Sequence, residues 1–280
     1  MNKLRKYINF HFRIIEDFLQ WVILSVPSRL FIPLFNLRAC MFFKDVRIKY
    51  DNAENKYIAY HKDLSCYFLN RVQAYDSYSM GMNYRATELG HIYFLDKLNF
   101  KNGDVIIDCG ANVGDLLLYL KSLKEEIKYI GIEPSPSEFE CLSANAKGKH
   151  LINKGLWDKS IKLDFYVSSD GADSSIIEPH VYTHKKTIDA IRLDEILTDH
   201  IKLLKVEAEG AEPEVLAGTE KLLNKIEYIS ADLGFERGKN QDSTFVPTVN
   251  YLLNNDFELL EVSHSDRIVG LFHNKNYVKT

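Results

Sequence analysis

The sequence predicts an α/β domain whose mostly parallel sheet is covered by helices on both faces. Three observations carry this. Apolar strand-like runs alternate with helix-periodic stretches from about residue 104 to 272. A loop with two glycines follows the first strong run. The chain then closes with two strand-like runs that have no helix between them, which reads as an antiparallel hairpin at the sheet edge.

In chain order, residues 84–98 place Ala86, Leu89, Ile92, Tyr93 and Leu98 on one helical face. Asp104 to Cys109, DVIIDC, reads as a buried strand, followed by an amphipathic stretch from Leu116 to Leu123, a strand from Tyr129 to Ile132, and a helix through Phe139, Leu142 and Ala146. Leu151 to Leu156 and Ile161 to Val167 are strand-like. A polar loop, Ser168 to Ser175, leads to a short helix at Leu193 to Leu197. The last third predicts a strand at Leu203 to Val206, a helix from Pro213 to about Leu223, a strand at Ile226 to Ala231 and a helix at Val246 to Leu253. The closing strands are Leu259 to Val262 and Val269 to Phe272.

Upstream, residues 1–83 read as a basic, aromatic extension and cap, and residues 84–280 as the main domain. At 280 residues the chain is long enough for one large domain with an appendage, and 46% hydrophobic residues are ample for its core. Nine basic against three acidic side chains give the first fifty residues a net charge of +6. With a total of −4, the remaining 230 residues stand at −10, an acidic body that excludes a general nucleic-acid binder. The segment Phe18 to Phe35 is apolar, but Pro27, Arg29 and Pro33 interrupt it before the ~20 residues a membrane-spanning helix needs.

Phe10, Phe12, Phe18, Trp21, Leu24 and Phe31 beside basic residues suit an interfacial helix in peripheral contact with the inner membrane, or equally a surface that covers the enzyme's own core or a homodimer partner. Arg13, Glu16 and Asp17 ahead of the apolar run argue against a cleaved secretory signal. From Lys49 to Asn83 the chain is Tyr-rich without a clean period and reads as irregular. Cys40, Cys66, Cys109 and Cys141 form no C-x-x-C pair, which fits a cytoplasmic protein without a disulfide framework.

The loop after the first strand is Asp108-Cys-Gly-Ala-Asn-Val-Gly114. Its D-x-G-x-x-x-G order differs from the G-x-G-x-x-G of dinucleotide loops, and a carboxylate at the strand end repels phosphate but receives an ammonium group. Gly110, Asn112 and Gly114 are therefore candidates to pass close to a ligand without a pyrophosphate, with Asp108 facing the ammonium of a methionine moiety. Glu133, twenty-five residues after Asp108 at the end of the next strand, is placed to accept both ribose hydroxyls of an adenosine, with Pro134 fixing the strand exit. Trp157 and Asp158 follow the third strand, where an adenine ring would stack and its amino group donate. Together these features point to S-adenosylmethionine as the cofactor.

The pieces VIIDCGANVGD, YIGIEPSPSEF, LDEIL, IKLLKVEAEGAEPEVLAGTEKLL and ISADLGFERG, spread from Tyr84 to His273, resemble the FkbM-type methyltransferases. The resemblance implies a Rossmann-like methyltransferase fold, a mostly parallel seven-stranded sheet with an antiparallel edge hairpin, preceded here by a helical N-terminal extension. It also implies an S-adenosylmethionine-dependent O-methyltransferase that acts on a sugar hydroxyl of a surface polysaccharide, a lipopolysaccharide or a glycosylated natural product. The acceptor would then be a small molecule or a glycan. The family usually reads I-D-V-E-G-A-E, and Glu207 stands here in place of the aspartate.

Methylation of a hydroxyl requires alignment of donor and acceptor and removal of a proton. Glu207, Glu209 and Glu212 after one strand and Asp232 at the end of the next are expected to converge as a general-base cluster or as oxygen ligands for Mg²⁺ or another divalent cation, with Glu212 also suited to cap the following helix. Glu209 and Asp232 are the expected catalytic carboxylates, and Glu207 is expected near the methionine end of the cofactor. His264, His273, Glu236 and Arg237 are further candidates for the acceptor side. Two other readings stand beside this one. A NAD-dependent sugar oxidoreductase or epimerase is disfavoured by the glycine spacing and the lack of a suitably placed Tyr-x-x-x-Lys pair, and a non-catalytic membrane-docked scaffold is kept open by Glu207.

Overall fold

The computed structural model describes residues 15, 18–168, 174–197, 199–264 and 267–277, without the side chain of His264. The chain divides into two units, Met1–Arg85 and Ala86–Thr280.

In the first unit, residues 18–25 are helical and α1 (Ser28–Met41) follows, with Pro27 in the extended conformation that separates them. The Tyr-rich segment forms a three-stranded antiparallel sheet, β1 (Arg47–Asp51), β2 (Lys56–His61) and β3 (Leu64–Phe68), where the sequence read as irregular. Its turns explain the register: the Asp51 carboxylate accepts from the Ala53 amide at 3.0 Å, and Lys62, in the two-residue turn before β3, adopts a left-handed φ of 51°. α2 (Arg71–Tyr78) starts at Asn70, whose side chain accepts from the Gln73 amide. Aromatic rings fill the space between the sheet and α1. Tyr57 stacks on Phe68 at 5.5 Å and meets Phe31 edge-on, while Phe35 meets Tyr75.

α3 (Met82–Ile92) carries the chain across the division. The second unit then winds β4 (Val105–Cys109), α4 (Leu116–Leu120), β5 (Lys128–Ile132), α5 (Pro136–Asn145), β6 (His150–Ile152), β7 (Gly155–Leu156), β8 (Ile161–Val167), β9 (His184–Ile191), β10 (Ile201–Val206), α6 (Glu212–Ala217), β11 (Ile226–Asp232), α7 (Phe245–Asn254), β12 (Phe257–His264) and β13 (Ile268–Asn274). The main sheet has seven strands in the order β12-β13-β11-β10-β4-β5-β6, parallel except for β13, which runs antiparallel to both neighbours. This is the Rossmann-like methyltransferase arrangement with its edge hairpin.

Period-two alternation sends neighbouring residues to opposite faces. Ile107, Leu204, Val206 and Ile229 pack with Val215, Leu216, Val249 and Leu252 on one face, and Ile106, Leu203 and Tyr129 pack with Leu89, Leu116, Leu120 and Leu142 on the other. Several elements depart from the pattern read in the sequence, among them β9, where no strand was read. The run 151–156 is two short strands: Asn153 turns back to donate to the carbonyls of Glu133 and Pro134, and β7 leaves the main sheet to pair with β9 in a small sheet of order β7-β9-β8. The helix expected to reach residue 223 stops at Ala217, and a 3₁₀ turn over 220–225 follows. Among the described residues no helix is long and apolar enough to cross a membrane.

Candidate active site

The parallel strands end at a cleft of about 720 Å³ lined by Gly110, Asn112, Glu133, Pro134, Ser135, Leu156, Phe165, Glu207, Glu209 and Arg267, among others. It lies where β4 and β10 run side by side and the winding reverses, the place an open parallel sheet offers a ligand.

Backbone geometry builds the first half of this cleft. Gly110 has φ +71°, and a Cβ there would lie 1.9 Å from the Glu207 carbonyl oxygen, so only glycine lets the β4 loop pass that backbone. The sequence assigned this freedom to a ligand; the close neighbour is the protein's own chain. At Gly114, likewise, the space a Cβ would need belongs to Leu142 of α5. Asn112 also takes a left-handed φ, 49°, and its amide donates to Glu133 Oε2 at 2.8 Å while the Ser135 amide donates to Oε1 at 2.8 Å. Those two bonds favour the carboxylate, yet burial outweighs them and raises the Glu133 pKa to about 7. Among the described residues the buried Asn112 Oδ1 has no hydrogen-bond partner.

Three predicted cofactor residues are placed elsewhere. Asp108 is buried behind the loop, where Lys205 Nζ lies 2.9 Å from one carboxylate oxygen and the Tyr129 hydroxyl donates to the other at 2.8 Å. An ammonium does meet this carboxylate, but it is the chain's own. Trp157 and Asp158 lie outside the cleft wall, because β7 has already turned away to pair with β9: the Trp157 amide donates to Ile191 and its carbonyl faces Gly218, while the Asp158 carbonyl accepts from Arg192. The apolar wall is formed instead by Ile132, Leu156 and Phe165.

Side-chain charge builds the second half. Lys205, one of two lysines in β10, also sits 2.9 Å from Glu207 Oε2, donates to the Gly110 carbonyl at 2.9 Å, and lies over the Tyr93 ring at 4.9 Å. Burial alone would lower its pKa, but the Asp108 charge beside it prevails and the pKa is raised. Glu207 also accepts from the Tyr93 hydroxyl and pairs with Arg267 from the β12–β13 turn. Neither Lys205 nor Arg267 was singled out in the sequence. Lysine in a strand reads as a solvent-facing residue, and Arg267 is brought in from sixty residues beyond Glu207.

Of the four carboxylates expected to converge, Glu207 and Glu209 line the cleft, whereas Glu212 and Asp232 do not. Glu212 accepts from the amides of Ala208 and Gly210, and burial raises its pKa to about 7. Asp232 accepts from the Gly234 amide at 2.6 Å, and its other oxygen lies 3.6 Å from Arg267. Burial raises its pKa too. With Lys205 and Arg267 standing among these groups, no three His, Cys, Asp or Glu side chains among the described residues are grouped to hold a metal ion, so the cluster expected for Mg²⁺ does not assemble. Two further expectations change. His273 pairs with Tyr228 at the end of the sheet opposite the cleft, and Arg237 is held by a bidentate ion pair with Glu214 and by the Gly210 carbonyl. The side chain of His264, and residues 169–173 of the polar loop, lie outside the described residues.

The residues present fit S-adenosylmethionine. The unpartnered Asn112 Oδ1 and the Glu133 carboxylate are acceptors for donor groups, and Ile132, Leu156 and Phe165 offer an apolar slot for a flat ring. The strand order and this site define an S-adenosylmethionine-dependent methyltransferase. The family model of the methyltransferase FkbM domain matches residues 108–259, and the chain belongs to that family. Among curated proteins it is similar to Methyltransferase 1 of Beauveria bassiana, 27% identical in an alignment of length 187 that covers 54% of this chain and 75% of that protein. It is also similar to Methyltransferase sdnD of Sordaria araneosa, 24% identical in an alignment of length 198 that covers 56% of this chain and 73% of that protein. A solved structure of a methyltransferase FkbM from Methylobacillus flagellatus is 19% identical with a TM-score of 0.48; the match covers 66% of this chain and spans about half, 47%, of that one.

Proposed function

We propose that this methyltransferase transfers its methyl group to a hydroxyl oxygen of a sugar in a glycan or glycosylated small molecule, with Glu209 as general base. The observation that carries the assignment is the placement of Glu209 on the wall of the cleft, on a left-handed backbone that its neighbours hold. On the same wall Glu207 is engaged by Lys205, Arg267 and Tyr93, an ion cluster that fixes its carboxylate in place. Glu209, on the same wall, is a partly exposed carboxylate two residues further on.

Its backbone supports a functional placement. Glu209 takes a left-handed φ of 49°, a conformation costly for a side-chain-bearing residue. The surroundings impose it: Glu212 gathers the amides of Ala208 and Gly210 on either side, and the Ser175 hydroxyl donates to the Glu209 carbonyl at 2.7 Å. S-adenosylmethionine, when bound, supplies a sulfonium methyl carbon as the electrophile. Glu133 and Asn112 would hold its donor groups, the Leu156 and Phe165 wall would keep water out, and Glu209 would take the proton of the acceptor hydroxyl. Cys109, also on the wall, is no competing nucleophile, because burial pushes its thiol pKa up and keeps it protonated. The sugar class follows the resemblance to FkbM-type enzymes and suits a cleft edged by carboxylates.

The test uses labelled S-adenosylmethionine and a panel of glycans and glycosides. Glu209→Gln is expected to bind cofactor normally by titration calorimetry and to lose about 10²- to 10⁴-fold in kcat. Undiminished turnover in that variant would remove Glu209 as base. Labelling of nitrogen or carbon acceptors in place of hydroxyls would overturn the proposed acceptor class.

A further inference from the structure

We infer that the first unit docks on an anionic lipid surface through the outer side of its two N-terminal helical segments. α1 is apolar on two sides. Phe31, Phe35 and Ala39 face the core of the unit, while Leu30, Pro33, Leu37 and Met41, spaced three or four residues apart, form a second stripe that is exposed, Met41 at 63%. A helix that covers its own core needs one apolar side; a second requires another apolar phase.

Exposed aromatic residues also flank α1 in the chain at both ends. Phe18 and Trp21 are exposed before it, Trp21 at 66%, with their rings 6.2 Å apart. After it, Phe43 is 96% exposed on a residue held at φ 54°. Large aromatic residues with this exposure are what the interfacial zone of a bilayer takes up.

Charge decides between a lipid surface and a protein partner. Residues 18–50 carry Arg29, Arg38, Lys44, Arg47 and Lys49 against Asp45 alone. Arg38 is buried against Tyr75, and Asp45 is taken up in bonds to Asn83. Arg29 and Lys49 are exposed. Basic side chains beside an apolar stripe attract an anionic headgroup plane and repel a second copy of the same face.

The experiment is flotation of the full-length protein with phosphatidylcholine vesicles, with and without phosphatidylglycerol. Co-flotation is expected with the anionic vesicles only and is expected to fall as salt is raised. Phe43→Ser combined with Leu37→Ser removes exposed side chains, so folding should be unaffected and flotation lost. Arg29→Gln should weaken binding about fivefold. The inference is overturned if the full chain stays unbound at low salt, or if the double variant floats like the parent. It is equally overturned if the protein is a concentration-dependent dimer that the same two substitutions dissociate, since the stripe would then belong to a second copy.

Discussion

The two halves of the cleft are built by different physics. The β4–β5 half is set by main-chain conformation: left-handed turns at Gly110 and Asn112 and two amides on Glu133. The β10 half is set by charge, with Lys205 and Arg267 interleaved among Asp108, Glu207 and Asp232. A backbone-built wall keeps one shape across conditions, whereas a charge-built wall depends on every member being present. The first half suits an invariant cofactor, and the second carries Glu209, the base proposed above.

The largest expected break in this comparison is Lys205→Met. Two carboxylates would lose their shared cation, Asp108 in the interior and Glu207 at the cleft wall. The cost should be about 3–5 kcal/mol, read as a lower urea midpoint with an unchanged slope. A loss below ~1 kcal/mol would mean that the ion cluster does not hold the two strand ends.

A smaller effect separates the halves by pH. If Glu133 accepts ribose hydroxyls as a carboxylate, its pKa of about 7 makes S-adenosylmethionine affinity rise from pH 6 to pH 8 by about tenfold, and Glu133→Gln should flatten the profile. Folding moves the other way. A carboxyl whose pKa is raised on folding contributes stability that is fully present below its unfolded pKa of about 4.5 and lost as pH rises through about 7. Glu133→Gln should therefore remove part of the loss of stability expected of the parent between about pH 4.5 and 7. The smallest effect is expected from Arg267→Gln, whose partly exposed pair with Glu207 is screened by solvent. The change should stay below about 1 kcal/mol in denaturant and shrink with salt.

Most of the sheet was legible in the sequence because its strands are short apolar runs bounded by turn residues, and the edge hairpin followed from two runs with no helix between them. The Asp108–Gly114 loop and Glu133 were legible for a similar reason: one β-α-β unit contains them. The sheet of the first unit was not, because Tyr50, Tyr57, Tyr60 and Tyr67 alternate too weakly in polarity to reveal a buried face. The charge-built wall escaped for a different reason. Asp108, Lys205 and Arg267 come together only through sheet order, which no local run of residues spells out. Trp157 was misplaced because nothing in the sequence marks where β7 leaves the main sheet.

Lys205 also bears on time. It donates to the carbonyl of Cys109, 96 positions earlier in the chain, so the contact between the two central strands exists only after most of the second unit has been gathered in. Closing a loop of that length is slow, and parallel pairing rewards it late. Contacts made after the rate-limiting step govern how fast a fold comes apart rather than how fast it forms. The lysine that joins the two walls should therefore act as a latch on unfolding, giving the open cleft a long lifetime without hastening its assembly.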